Sequence, residues 1–454
     1  MVVRFGAVAV AILLVASCGG NADQTASSRF STTSDSSVTT PTHISATSST
    51  IDAVIAGWVD SFEVAWLTIN EKYFDPDIGG VDWQAVHDRY LPQISEASTG
   101  LHALYLINTM LWELDVSHIG VAPPDDPTQL NSQLSEGELG LDIRLLDEEW
   151  VITEVKPGSP AAAAGLQLGY LLETIGAYNV EALVALAPTM PPRHERGIRS
   201  GMINIVRSLL YGEPGAAVTI GFRDGDDAPG EVTLTFRQRE RLPGAEPMAP
   251  SVPAAFTTLE VNRLQGNIGY LRFDAFGHGM LPALLDTVDA LQDTSGLIID
   301  VRGNYGGTFH VRKPLIDRLV NEPVLLQISQ WRDSREEVYV EPAELTYDAP
   351  IVVLVDVLST SSAELFAGTL QAIGRAFVIG ESTAGRVLVQ GMAELPNGAI
   401  MIYPEGQPLL PDGTPLEGHG VIPDLAVDLH RSDLLAGTDP PLQAAIDHLR
   451  ASAG

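Results

Sequence analysis

Apolar positions recur at helical spacing from about residue 51 to residue 122. Trp58, Phe62, Trp66, Ile69 and Tyr73 make one stripe, and Leu104, Ile107, Leu111 and Leu114 make another. The second helix is expected to stop at Asp115, with Val116, Ser117, His118, Ile119 and Gly120 following at once. Pro123, Pro124 and Pro127 then mark a linker. From about 136 to 238 the period shortens to that of strands. Segments 139–143 and 150–155 read as two strands, 157–166 as a turn and a small-residue helix, and 217–222 with 232–236 as a closing hairpin. Residues 184–205, which hold Pro188, Pro191 and Pro192, read as an insertion in this block.

From about 256 to 429 apolar strands alternate with helical stretches, the pattern of an α/β layer fold. Strands are expected at 268–273, 296–301, 351–355 and 376–379, and helices at about 281–292, 310–320 and 362–374. A further helix is expected at about 441–450. The organisation that follows is a helical part at 51–128, a β-rich part at 136–240, an α/β core at 256–430 and a C-terminal tail or helix at 431–454.

One junction in the core carries a chemical signal. The stretch LSTSSAE, from Leu358 to Glu364, lies between the β-branched run 351–355 and a helix with Ala363, Phe366, Thr369, Leu370 and Ile373 on one face. A serine held there exposes its hydroxyl beside unpaired N–H groups and the positive end of a helix, which suits a developing oxyanion. The same residues allow a plainer role, because Ser361 and Glu364 have the spacing of a capping box. A second stretch, DVRGNYGG from Asp300, follows another strand. Its adjacent Gly306 and Gly307 make either a tight turn or one oxyanion donor, with the N–H of Ser362 as the other.

Composition narrows the classes. The 454 residues carry 58 acids against 26 bases, a formal net charge of −32, which argues against a nucleic-acid partner. There is one cysteine, Cys18. Arg4, the apolar run 7–16 and the ending VASC read as a secretory signal, residues 1–18. The apolar run is too short to span a bilayer. That ending resembles a bacterial lipobox, which implies lipidation at Cys18, a membrane partner through that anchor, and export to the cell envelope. Residues 19–50 are rich in Ser and Thr and poor in large apolar side chains, as expected of a flexible tether. No His-Glu-x-x-His, Cys/His cluster or P-loop is present, so neither metal nor cofactor is expected.

The runs GSPAAAAGL and LGLDI make the β-rich block resemble a PDZ domain, although Tyr170 stands where an acidic residue is usual. The resemblance implies that an extended peptide adds as a strand along Leu139, Gly140, Leu141, Asp142 and Ile143. Behind that block, DVRGNYGG, STSSAELFAGTLQAIGRAFVIGESTAG and LEGHGVIPD occur in order. Together they resemble the tail-specific (C-terminal-processing) serine peptidases over about residues 51–430. The resemblance implies a crotonase-like α/β core with an N-terminal helical subdomain and an inserted PDZ-like domain. It also implies cleavage of unfolded or C-terminal polypeptide segments, with Ser361 as nucleophile and Ser362 as fallback.

One branch of that family uses a Ser–Lys dyad, but the matching slot here is Arg386, which cannot accept a proton at working pH. The chain is more similar to the tricorn-core branch, whose tetrad maps onto Ser361, His118, Ser117 and Glu417. His118 would take the serine proton, while Ser117 and Glu417 would orient it. His419 and His310 remain rival bases. The alternative function is a peptide-binding lipoprotein with a dead site. A crotonase-type acyl-CoA enzyme fits the signal segment and PDZ-like block poorly.

Overall fold

The structure is a computed structural model that describes residues 48–123, 134–185, 190–241 and 255–452. The signal segment with Cys18, and all of the tether but its last three residues, lie outside the described residues. Those last three open a helix, Ser48–Lys72, instead of continuing the tether. No helix among the described residues is long and apolar enough to cross a membrane.

Three helices build the N-terminal part: Ser48–Lys72, Trp83–Ser95 and Gly100–Leu111. Asp82 and Thr99 cap the second and third by accepting backbone N–H groups at 3.0 and 3.1 Å. Their apolar stripes do not close on one another alone. Leu388, Leu395, Ala399, Met401 and Tyr403 from far down the chain share the same core. Just past the third helix, Gly120–Ala122 pairs antiparallel with Ile400–Leu409. The turn holding Ser117 and His118 is therefore pinned between a helix end and a strand.

Ile400–Leu409 belongs to a sheet that the residue pattern did not announce. It runs Gly120–Ala122, Ile400–Leu409, Val324–Trp331, Arg335–Val340, with Val389–Glu394 on the other side of Ile400–Leu409. Pro404, Gly406 and Pro408 sit inside the long strand, and its pairing shifts register near Val389; such residues mask a strand signal. The main sheet has the order Leu259–Leu264, Ile268–Phe273, Gly296–Asp300, Ile351–Val355, Ala376–Gly380, Leu425–Ala426. Its first pair is antiparallel and the rest are parallel. Every residue of Gly296–Asp300 and Ile351–Val355 is buried, because both faces are covered. Leu281–Ala290, Phe309–Asp317 and Ser362–Ala372 cover one face. Ala445 and Leu449 of the helix Pro440–Ser452 seal the other, so that helix is part of the core.

The β-rich part is an antiparallel sheet, Leu141–Leu146, Glu149–Val155, Leu171–Ile175, Ala217–Arg223, Pro229–Thr235. The expected insertion at 184–205 is corrected here. Glu195–Ser208 is a helix whose Ile203 and Val206 are fully buried in the core of this part. Helical spacing of apolar residues outweighs the prolines before it. That core also takes in Val357, Leu358 and Ala384. Arg144 adds a hydrogen-bonded ion pair to Asp356 at 2.9 Å. The β-rich part is thus packed directly onto the loop that leads to Ser361.

Candidate active site

Ser361 sits where strand Ile351–Val355 turns into helix Ser362–Ala372, as the sequence suggested, but its backbone is unusual. Its φ of 57° with ψ of −120° is a region that non-glycine residues rarely occupy. Several contacts hold the strain. Ser361 N–H donates to the Arg386 carbonyl at 2.8 Å and to Glu364 at 3.1 Å. Asp356 accepts N–H groups from Gly303 and Leu358, and Ser359 Oγ donates to Val301 O at 2.7 Å. Thr360 N–H reaches the Asn304 carbonyl at 2.9 Å.

Neighbouring hydroxyls are committed elsewhere. Ser362 Oγ donates to Gly307 O at 2.7 Å, and Ser359 Oγ is bound as above. Ser361 and Glu364 take up the capping box that their spacing suggests, Ser361 N–H donating to Glu364 at 3.1 Å, while the Ser361 hydroxyl makes no cap hydrogen bond of ordinary geometry. This separates Ser361 from the fallback, Ser362. Gly306 packs so closely that a Cβ there would lie 2.6 Å from Ser361 Cβ and 2.8 Å from Thr360 O. Its N–H, however, donates to Asn304 Oδ1 at 2.9 Å. Of the three residues expected to form the oxyanion site Gly306 is therefore corrected: it supplies space, while the Gly307 and Ser362 N–H groups have no partner among the described residues. Asn304, buried and taking Phe273 O on its other side, was not singled out by the sequence reading.

Three further residues meet 300 positions apart. Ser117 N–H and Oγ–H donate to the two oxygens of Glu417 at 2.8 and 2.9 Å. Ser117 Oγ also lies 2.7 Å from His118 Nδ1. An ionised carboxylate only accepts, so Ser117 spends its proton on Glu417 and must accept from His118. That places the imidazole proton on Nδ1 and leaves Nε2 as a free base. Burial, and next the charge of Arg386, push His118 down to about 3, so the ring is neutral at working pH. Burial pushes Glu417 above its usual range, against the donors from Val387 and Ser117 and the charge of Arg386. His118 itself adopts a left-handed φ of 56°, which the flanking helix and strand hold in place.

The segment 383–387 joins the two halves. Its Arg386 carbonyl holds Ser361, while Val387 N–H donates to Glu417 at 2.9 Å. Glu364, fully buried, accepts Thr383 Oγ–H and Gly385 N–H at 2.6 Å each and Arg386 N–H at 2.8 Å. Burial pushes Glu364 up to about 7 despite those donors. Its role as the clamp of this loop was invisible in sequence beyond the capping spacing. Ser361 and His118, both described residues, are not hydrogen-bonded to each other here. Catalytic hydrogen bonds are often long in ligand-free sites. The rivals fare worse: His310 is exposed, and the exposed His419 turns Nδ1 onto its own loop at Glu417 O, 2.8 Å away.

The expected peptide edge is partly corrected. Leu139 and Gly140 precede the strand, which starts at Leu141 and does lie at the sheet edge. Its outward groups are already taken: Arg144 donates to Ile143 O at 2.9 Å, Arg199 to Leu145 O at 2.6 Å, and Asp142 pairs with Arg207 at 2.7 Å. No group of three or more His, Cys, Asp or Glu suited to a metal occurs among the described residues.

The chain is similar to known peptidases. Residues 267–427 match the model of peptidase family S41, and residues 56–111 that of the tricorn protease C1 domain. A putative tricorn protease homolog 2 of Streptomyces coelicolor is 23% identical over 412 residues, covering 86% of this chain. The chain spans only 32% of that relative's length. A carboxyl-terminal-processing protease of Synechocystis is 24% identical over 396 residues, covering 85% of each chain. Among solved structures, a photosystem II D1 C-terminal processing protease superposes with a TM-score of 0.55 at 21% identity, over 82% of this chain and 93% of its own. The fold is that of the solved C-terminal processing protease, and the chain is similar in sequence to carboxyl-terminal-processing and tricorn proteases over most of its length.

Proposed function

We propose that this relative of the tail-specific peptidases is an exported serine endopeptidase that cuts unfolded or C-terminal segments of polypeptides. The hydrogen-bonded chain Glu417–Ser117–His118 carries the reading, because it leaves the free base on Nε2. His118 Nε2 takes the Ser361 proton as Oγ attacks the scissile carbonyl carbon. The Gly307 and Ser362 N–H groups receive the oxyanion. Collapse of the tetrahedral adduct expels the amine, which leaves with the proton from His118, and water then hydrolyses the acyl-serine by the same route. The crotonase-like reading of the core is part of this proposal, as is the PDZ-like reading of the β-rich part. Peptide addition along 141–146 would require Arg199 and Arg207 to release that edge. Residues 1–18 support export and lipidation at Cys18, which would hang the enzyme from a membrane.

Casein incubated with the form lacking residues 1–18 tests the reading. Cleavage that is lost in Ser361→Ala and His118→Ala, but only weakened in Arg386→Ala, is expected. Absence of cleavage across several unfolded substrates and pH values would move the function to peptide binding without catalysis.

A further inference from the structure

Positive charge gathers beside Ser361 in a chain that is acidic overall. Elsewhere near the β-rich part arginines are neutralised: Arg144 by Asp142 and Asp356, Arg207 by Asp142, Arg199 by Glu381. Arg386 is not. Its guanidinium has no hydrogen bond and no carboxylate within ion-pair distance among the described residues, although the charges of Glu417 and Glu364 act on it and its backbone holds both Ser361 and Glu364. Arg196 reaches over from the β-rich part, donating Nε to Thr383 O at 3.0 Å and Nη2 to His419 O. Those carbonyls leave its charge uncompensated. The charges of both act on His194, whose Nδ1 accepts Gly197 N–H at 3.2 Å while its Nε2 is buried with no partner among the described residues. Asp115, whose charge acts on His194, is engaged by Arg193 N–H at 2.8 Å.

A half-buried guanidinium with no carboxylate in direct contact is costly, and the cost falls when a carboxylate arrives to pair with it. The planar fork of arginine matches a carboxylate with two parallel hydrogen bonds. We propose that Arg386, reinforced by Arg196, is a specificity-determining residue that binds a carboxylate of the substrate beside the scissile bond. Two sources offer that group: an acidic side chain, or the terminal carboxylate of a chain cut near its end. The inference rests on the peptidase reading above and assigns Arg386 a role that a lysine in a dyad could not fill, since arginine keeps its proton.

Four fluorescein-labelled decapeptides of one alanine-rich sequence test it: glutamate or glutamine beside the cleavage site, each with a free or an amidated C-terminus. Binding is read first by anisotropy on Ser361→Ala full-length protein, which needs no turnover. A tenfold or greater preference for one carboxylate source is expected; the preferred pair identifies which source is read. Adding Arg386→Gln should reduce that ratio to near one, Arg386→Lys should keep part of it, and Arg196→Gln should lower it less. In the active enzyme the preference should sit mainly in KM. Because each ratio compares two peptides on one protein, a general loss of stability cancels. Equal affinity for all four peptides, no binding, or a preference that survives Arg386→Gln overturns the proposal. Fluorophosphonate labelling of the unmutated protein at Ser361 reports separately on the serine-peptidase reading.

Discussion

The nucleophile side and the base side of the site are built in opposite ways. Ser361 and its supports occupy one short stretch, strand, turn and helix, with Gly306 pressed against it from the loop that follows the adjacent parallel strand. The base side has no such continuity: Ser117 and His118 hang from the helical part, and Glu417 comes from a loop 300 residues later. The segment 385–387 touches both: Arg386 O holds Ser361, Gly385 N–H reaches Glu364 while its carbonyl takes Gly418 N–H, and Val387 N–H reaches Glu417. A nucleophile can be specified by local strain and local hydrogen bonds, whereas its base depends on how separate layers dock. Each half should therefore fail in its own manner when altered.

Ser361→Ala should give the largest effect, a loss of cleavage of about a thousandfold or more, since a nucleophile acts as a unit with its base. Casein or fluorogenic-peptide turnover measures it, and an unchanged melting temperature would show that the loss is chemical. Gly306→Ala should cost roughly a hundredfold in kcat/KM, as expected when a reacting atom is displaced by about 1 Å. The added Cβ strikes Ser361 Cβ and Thr360 O. Full activity in that variant would refute the close packing of the two strand ends.

On the base side, Ser117→Ala should lower kcat/KM by about 10- to 100-fold, the worth of a hydrogen bond to a charged network. It removes the oxygen that fixes the His118 tautomer, so kcat should fall more than KM rises. The smallest effect is one of pH. His118 must be neutral to act, and burial with the Arg386 charge holds it near 3, far below 6.5. The acid limb of kcat/KM should therefore lie well below the usual histidine range, with activity kept as pH falls from 7 to 5. Arg386→Gln removes a charge that disfavours imidazolium, so its acid limb should move to higher pH; a limb that stays put would sever Arg386 from the base. The same depressed value makes His118 a liability to the fold in acid, because the unfolded chain takes up the proton first below about 6.5.

Much of this was legible in the residues. The buried strands and helices of the core announced themselves through continuous apolar runs and helical spacing, and the Leu358–Glu364 junction stood out for its chemistry. The second sheet did not, since Pro404, Gly406 and Pro408 hide the strand that anchors the His118 turn. The helix Glu195–Ser208 was obscured by prolines, and Glu364, besides being the cap its spacing suggests, is also the clamp on 383–386.

By itself the sequence determined the local elements and, through motif order, the four residues now offered as the tetrad. Tertiary structure alone decided that Gly306 gives room and Gly307 a free amide, that Ser117 meets both Glu417 and His118, and that Arg386 stands unpaired beside the serine. Local propensity acts over a few residues, so it can set a strand, a helix or a strained turn. Hydrogen-bond partners 300 residues apart are chosen by which surfaces bury together, and that is a property of the packed layers.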